Sequence, residues 1–443
     1  MQVALKVVNR SDERVVTEMY RPFFLAGVLS VLTAGCLLGA LALAGISMKG
    51  SYTTPEWTPY VLAHANAQLY GWVGLFIMGF ALQQHAPRRS KAELFYKLAY
   101  SSLACMIAAV TLRFVAEPIV VGNQGVGMAL GVGASILQIV GVILFYANTT
   151  LTRYNDGRGL TWPTTFVFAS MFWWPLVAIA EPFYFFYSHS GSPMERIRFV
   201  AEYFPPYREA QFLGFVAMMI FGVAFVKMSD CFGAKAPHRQ LALMGFVGWT
   251  VGLLMRMVGW VVYFRGDLDP AHQGLYFNGG AVLAVSAGVL LVALRMFEPL
   301  EFSVRSHKFI RGSMFWLGVS GVLLILEPLH LARTGQAFSH AYIGAVRHAV
   351  TVGFISQMIL GVGAHVVARM NDLDISRLAP LATAFWLLNL GNAGRVSLEI
   401  LSDYTPNAFA PMGVTGFIEL TGLVIWAVNV FSPVLQRKVL AHA

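Results

Sequence analysis

Charge is what this chain is short of. Lysine, arginine, aspartate and glutamate together supply 12% of its 443 residues, about half the share of a soluble globular domain. That leaves too little polar surface to cover a fold in water. Cysteine is nearly absent too. Cys36, Cys105 and Cys231 stand alone with no CxxC pair, which excludes a disulfide framework and a thiolate metal site. Nothing at the start resembles a cleaved signal peptide. Residues 1–21 are polar and mixed in charge, with Lys6, Arg10, Asp12, Glu13, Arg14, Glu18 and Arg21, and the first apolar run follows directly.

What is abundant is apolar length. Hydrophobic residues make up 57% of the chain and the mean hydropathy is +0.63. Apolar runs of about 20 residues, enough to cross a bilayer, fall near 22–46, 61–84, 94–116, 126–150, 164–187 and 209–228. Others fall near 240–264, 273–296, 313–332, 346–368, 379–402 and 412–434. These runs predict an all-α polytopic membrane protein with about twelve transmembrane helices. The formal net charge of +9 does not mark a nucleic-acid protein, because the basic residues sit in segments flanking the runs. One set of segments holds Arg10, Arg14, Arg88, Arg89, Lys91, Arg153, Arg158, Lys227, Lys235 and Arg239. It continues with Arg305, Lys308, Arg311, Arg369, Arg377, Arg437 and Lys438, whereas the alternating set offers little beyond Lys49, Arg196, Arg198, Arg265 and Arg333. The positive-inside bias then puts both termini in the cytoplasm and requires an even number of spans.

The runs also repeat. Gly71, Gly214 and Gly353 are separated by 143 and then 139 residues, and the same offsets link Gly79, Gly222 and Gly361. They link Ile77, Ile220 and Ile359, and one helix further on Arg113, Arg256 and Arg395. Glycines alone indicate close helix packing in lipid; an intramembrane arginine on the same offsets indicates a repeat. The expected organisation is a cytoplasmic segment 1–21, four-helix repeats at 22–153, 154–300 and 301–436, and a tail 437–443.

Ionisable residues in a membrane nominate the site. His64 lies near the outer end of the second run and His348 at the same end of the tenth. By the repeat offsets His348 corresponds to Glu209 and Asn66, so a polar ring is expected at one depth. Two neutral imidazoles facing each other suit haem iron, and Arg113, Arg256 or Arg395 could neutralise the propionates. The alternative for the arginines is pairing with Glu117, Glu181, Glu327 and Glu399, the first three of which precede proline. For the histidines it is a plain interfacial position. A second metal would have Glu209, Asn66 and His340 as candidates; His330 flanks the same connection, and His365 lies far from the ring. Between Gly74 and Leu82, Ser135 and Tyr146, Ala284 and Ala293, and Ile418 and Val428, the one acid is Glu419. Without an inner relay a proton pump is not expected.

Three segments carry a family likeness: Met19-Tyr-Arg-Pro-Phe-Phe-Leu-Ala-Gly27, Leu62-Ala-His-Ala-Asn-Ala-Gln-Leu-Tyr-Gly-Trp72 and Arg347-His-Ala-Val-Thr-Val-Gly353. They resemble hallmark segments of the NnrS family, an early R-P-F-F, a second-helix H-A-H-E and a tenth-helix H-A-L-T-V-G. The resemblance implies a haem-containing bacterial inner-membrane protein linked to nitric oxide and nitrosative stress, with copper possible. The twelve-span, threefold plan is also similar to subunit I of haem-copper oxidases and nitric oxide reductases, in which second- and tenth-helix histidines hold a haem. Two departures matter. H-A-H-E is His64-Ala65-Asn66-Ala67 here, and Val346 stands where those oxidases place a further histidine. Glu209 and Arg256 lie on helices that supply copper ligands there, so the usual binuclear centre cannot be assembled.

The expected function is therefore a b-type haem protein of nitric oxide or related redox metabolism, with His64 and His348 as axial ligands and a membrane or periplasmic electron-transfer partner. Two filled axial positions favour electron transfer or sensing over direct nitric oxide reduction. The competing expectations are a transporter or channel with an outer anion or metal site, and a cofactor-free structural or assembly subunit.

Overall fold

Apolar runs of this length satisfy their backbone in lipid by coiling into helices, and every regular element among the described residues is helical. The computed structural model describes residues 17–52, 54–156, 160–300, 306–373 and 381–441, with the side chains of 153–156 and 433–441 excepted. In chain order α1 is Tyr20–Lys49, α2 Thr58–Gln84, α3 Arg89–Gly122 and α4 Gln124–Thr152. Then come α5 Thr164–His189, α6 Pro193–Phe232, α7 Arg239–Arg265 and α8 Gly274–Leu294. The last four are α9 His307–Thr334, α10 His340–Met370, α11 Leu381–Ser402 and α12 Pro406–Ser432.

Among the described residues, eleven of these helices are long and apolar enough to cross a membrane. The exception to the expected twelve is α11. It has 22 residues, but Asn389, Asn392, Arg395 and Glu399 dilute its apolar content. Two starts also differ from expectation. α6 begins at Pro193 rather than near 209, because an amphipathic stretch precedes the apolar run. Its start is a capping box, in which the Ser192 hydroxyl accepts from the Glu195 amide and the Glu195 carboxylate accepts from the Ser192 amide at 2.7 Å. α10 begins at His340 rather than 346, with the Ser339 hydroxyl accepting from the Tyr342 amide at 2.9 Å. Residues 1–16 with Arg10 and Arg14, and Arg158, Arg305, Arg377 and His442, lie outside the described residues, as do the side chains of Arg153, Arg437 and Lys438.

Burial separates two roles. In α2 and α10, 72% of the most apolar window is buried, and in α6 56%; the other spanning helices reach 33–50%. So α2, α6 and α10 form the interior, and the rest are shared between lipid and core. Glycine makes the first contacts of each interior helix. A methyl at Gly79 would sit 2.7 Å from Phe23 of α1, one at Gly222 2.6 Å from Val167 of α5, and one at Gly361 2.6 Å from Ile310 of α9. The recurring glycines thus admit α1, α5 and α9 at close range, where dispersion rather than hydrophobic transfer holds helices together in lipid. α12 packs antiparallel on α1: methyls at Gly413 and Gly416 would stand 3.0 Å from Ser47 and Ala40.

The interior helices share one irregularity. Ala67–Gly74, Ala210–Ala217 and Ala349–Ser356 are π-helical, eight residues each. Their first residues are 143 and 139 positions apart, the intervals that separate the glycines. A π-helical segment bonds i→i+5 and is frequent at functional sites. A fourth, Val31–Gly35, interrupts α1. At and beyond these segments the interior is aromatic: Phe221 lies 5.8 Å from Phe354, and Trp72 6.2 Å from Trp426, between ring centroids.

Candidate functional site

Asn66, Glu209 and His348 each stand one residue before a π-helical segment. Around them the three arginines build clusters that are similar in parts and unequal in satisfaction.

Arg113 on α3 is 3% exposed. Its Nε donates to Glu117 at 2.8 Å and its Nη1 reaches Glu181 of α5 at 3.1 Å. Glu181 also accepts from the Tyr207 hydroxyl of α6 and, at 3.5 Å, from Asn66 of α2. Gln138 of α4 donates to the Asn66 carbonyl at 2.9 Å. Arg256 on α7 is 2% exposed. It donates to Glu209 of α6 at 2.5 Å and to the Tyr276 hydroxyl of α8 at 2.6 Å, and meets Glu327 of α9 at 2.9 Å. Both guanidiniums also lie over aromatic rings, Phe185 at 4.2 Å and Tyr276 at 4.1 Å. These two arginines are therefore fully engaged in ion pairs, the alternative open to them in the sequence. Arg113 thereby tethers α3 to α5, and Arg256 tethers α7 to α9.

Arg395 is different. Its Nη2 pairs with Glu399 on its own helix at 2.8 Å, while Nε and Nη1 are buried with no hydrogen-bond partner. Close by, Asn392 is fully buried with neither its amide nitrogen nor its oxygen satisfied, and Glu419 of α12 has an orphaned oxygen. Glu419, expected as an isolated acid of the inner half, packs its Cγ where a methyl on Gly391 would lie, 2.7 Å away. It belongs to this cluster. Orphaned buried polar groups are rare in folded proteins and ask for a partner.

The two histidines adjoin this third cluster. His64 hydrogen-bonds through Nδ1 to the Gly35 carbonyl at 2.8 Å, so Nδ1 carries the proton. Gly35 ends the π-helical interruption of α1 and has a ψ of −105°, outside the helical range. The ring fills a notch at Gly39, where a methyl would sit 2.5 Å from Cε1 and Nδ1. His348 hydrogen-bonds through Nδ1 to the Gly344 carbonyl at 2.9 Å and lies 3.2 Å from Glu399. Among the described residues the Nε2 of each ring has no hydrogen-bond partner. His64, His348 and Arg395 lie within electrostatic reach of one another.

The remaining candidates are dispersed. Glu209 is committed to Arg256. His340 stands edge-on to Phe338, 4.7 Å between ring centroids. His330 binds Asp403 at 2.7 Å, and His365 packs on Phe232 at 4.8 Å, far from the ring. Among the described residues no three His, Cys, Asp or Glu side chains converge as a metal-binding group. Sequence reading missed Arg208, Arg347, Asn392, Tyr207 and Tyr276. A signal existed for the first pair, because Arg208 and Arg347 are also 139 residues apart, each preceding a ring residue.

No family model matches the chain, and no curated protein matches it.

Proposed function

We propose that this multi-pass membrane protein is a b-type haem protein similar to the NnrS family, acting in nitric oxide or related redox metabolism. One observation carries the reading. His64 and His348 each use Nδ1 to bind a backbone carbonyl and keep Nε2 unpartnered. A metal-ligating histidine is held in this way, with its second nitrogen fixing ring orientation and tautomer. The donor set fits. Two neutral imidazoles would provide the axial positions, and Arg395, alone of the three arginines, retains buried donors for a propionate. Arg113 and Arg256 serve the scaffold instead.

Bound there, haem supplies one-electron redox chemistry. Gly35 and Gly344 hold the imidazoles in the Nδ1-protonated form, and Glu399 strengthens His348 as a donor. If both histidines held the iron, no position would remain for a gas, which favours electron transfer or sensing. The reading assigns no copper, since the acid nearest to such a role, Glu209, is neutralised by Arg256. It includes three pseudo-equivalent groups of four helices, supported by the common offsets of glycines, arginines and π-helical segments. It also includes a bacterial inner membrane with both termini cytoplasmic, supported by the distribution of basic residues.

The test is spectroscopic. The protein is purified in mild detergent after expression with haem supplied, and oxidised and dithionite-reduced spectra are compared with those of His64→Ala and His348→Ala. A sharp reduced α-band lost in both variants is expected. Absence of a Soret band in the wild type would sink the proposal.

A further inference from the structure

Arg208 on α6 and Arg347 on α10 occupy equivalent places, each just before the ring residue of its helix. Both line a cavity of about 50 Å³ with Glu209, Arg256, Tyr276 and Phe338. Arg208 is 8% exposed. Among the described residues its one hydrogen-bond partner is the neutral Gln211, whose Oε1 accepts from Nη1 at 2.8 Å, and the guanidinium lies over Phe204 and Tyr207. Gln211 in turn has a buried amide nitrogen with no partner. Among the described residues the Arg347 guanidinium has neither a hydrogen-bond nor an ion-pair partner.

Charge counting shows the imbalance. Arg256 faces Glu209 and Glu327, which leaves one negative charge over; Arg208 and Arg347 add two positive charges. Of the charged residues lining the cavity, Arg208, Arg256 and Arg347 are cations and Glu209 is an acid; Glu327 reaches Arg256 from behind, and Glu399 of the neighbouring cluster acts on Arg347. The walls are Leu213, Trp249, Leu283, Leu317 and Leu324. Arg208 is buried and Arg347 half-buried, and a cation desolvated without a counter-charge is expensive. The cavity has several times the roughly 10–15 Å³ that one water needs, room for a small polyatomic anion.

We propose that Arg208 and Arg347 form a binding site for one small monovalent anion, a halide, a nitrate-like oxyanion or a carboxylate. Two guanidinium forks converging from equivalent helices suit such a charge. Neither histidine lines this cavity, and the proposal does not rest on the haem reading. The carboxylate has two sources, a free anion or a propionate of bound haem.

The experiment is thermal unfolding of the full chain in detergent at fixed ionic strength, exchanging gluconate, too large for the cavity, for chloride, nitrate or formate. The expected result is a saturable rise of the midpoint with the small anions, as for any ligand that binds the folded state. Arg208→Gln and Arg347→Gln should raise the half-saturating concentration at least tenfold. Arg347→Lys, which keeps the charge and loses the fork, should give an intermediate value should either glutamine variant fail to fold. With haem loaded, loss of the anion effect identifies the propionate as occupant, and its persistence identifies a free anion. Equal stabilisation by gluconate and chloride in wild type, or unchanged half-saturation in the folded variants, would overturn the proposal.

Discussion

Arg256→Met is the substitution that tests the ion-pair scaffold most severely. Arg256 is 2% exposed and holds Glu209, Glu327 and Tyr276 from three other helices. Methionine keeps much of the volume and removes the charge, leaving two carboxylates facing each other. Breaking a buried pair by deleting one partner costs about 3–5 kcal/mol. Adding Glu327→Gln removes the deeper carboxylate and leaves Glu209, whose side chain is 20% exposed and better able to take water. The double variant should therefore recover part of the loss, with a coupling of about 1–3 kcal/mol. Arg395→Met should lose less in haem-free protein, since two of its buried donors are already unpartnered. The assay is reversible unfolding in mixed micelles, followed by tryptophan emission for wild type, both single variants and the double. An Arg256→Met loss under about 1 kcal/mol, or strictly additive effects, would refute the reasoning that the cluster is a stabilising unit.

Three further outcomes follow from the geometry. Gly39→Ala puts a methyl 2.5 Å from His64, about 1 Å inside a normal carbon contact of roughly 3.5 Å; haem retention should fall about 10–100-fold, measured by transfer to an apo-globin, and unchanged retention would detach Gly39 from the site. Inserting an alanine between His348 and Ala349 should rotate the preceding turn by about 100° relative to the rest of α10. Arg347 and His348 would then leave the interior, and both the haem band and the anion effect should vanish in a protein that still folds; survival of both signals would show the facing of that turn to be incidental. In the α8–α9 connection, hydrogen bonds from Arg295 and then Lys235 hold the Glu298 carboxyl down to about 2. Because that value is depressed on folding, the contribution is present above the ordinary carboxylate range and lost as pH falls toward 2. Loop hydrogen exchange should rise over that window in wild type and stay flat in Glu298→Gln.

Much of this was legible in the sequence because lipid imposes simple rules. Apolar length marked all twelve runs, of which eleven are apolar enough to span among the described residues, and the glycine offsets marked positions of close helix packing. α11 was legible from its apolar run near 379–402, although its polar face leaves it short of the spanning threshold. Pairing was not legible. Nothing local says that Arg113 chooses Glu181 and Arg256 chooses Glu327 while Arg395 forms its ion pair with Glu399 of its own helix. Those choices depend on which helix stands opposite. The π-helical segments were hidden for another reason: nearly every residue of Ala67–Gly74 and Ala210–Ala217 is buried, so no apolar stripe reports the change of period. Arg208 and Arg347 were overlooked because a charge near a helix end looks like an interfacial anchor until burial is known.

The arginine clusters also give the bundle an asymmetry of strength. A carboxylate from α5 fastens Arg113, and one from α9 fastens Arg256. The matching junction, between α11 and α1, has none to offer, since residues 20–49 contain no aspartate or glutamate. There the wall is closed by glycine contacts between α12 and α1, with no charged rivet. It is also the junction completed last during synthesis, when the first helix to enter the membrane meets the final one. Of the three, this seam has no ion pair across it among the described residues, and it parts at the least electrostatic cost.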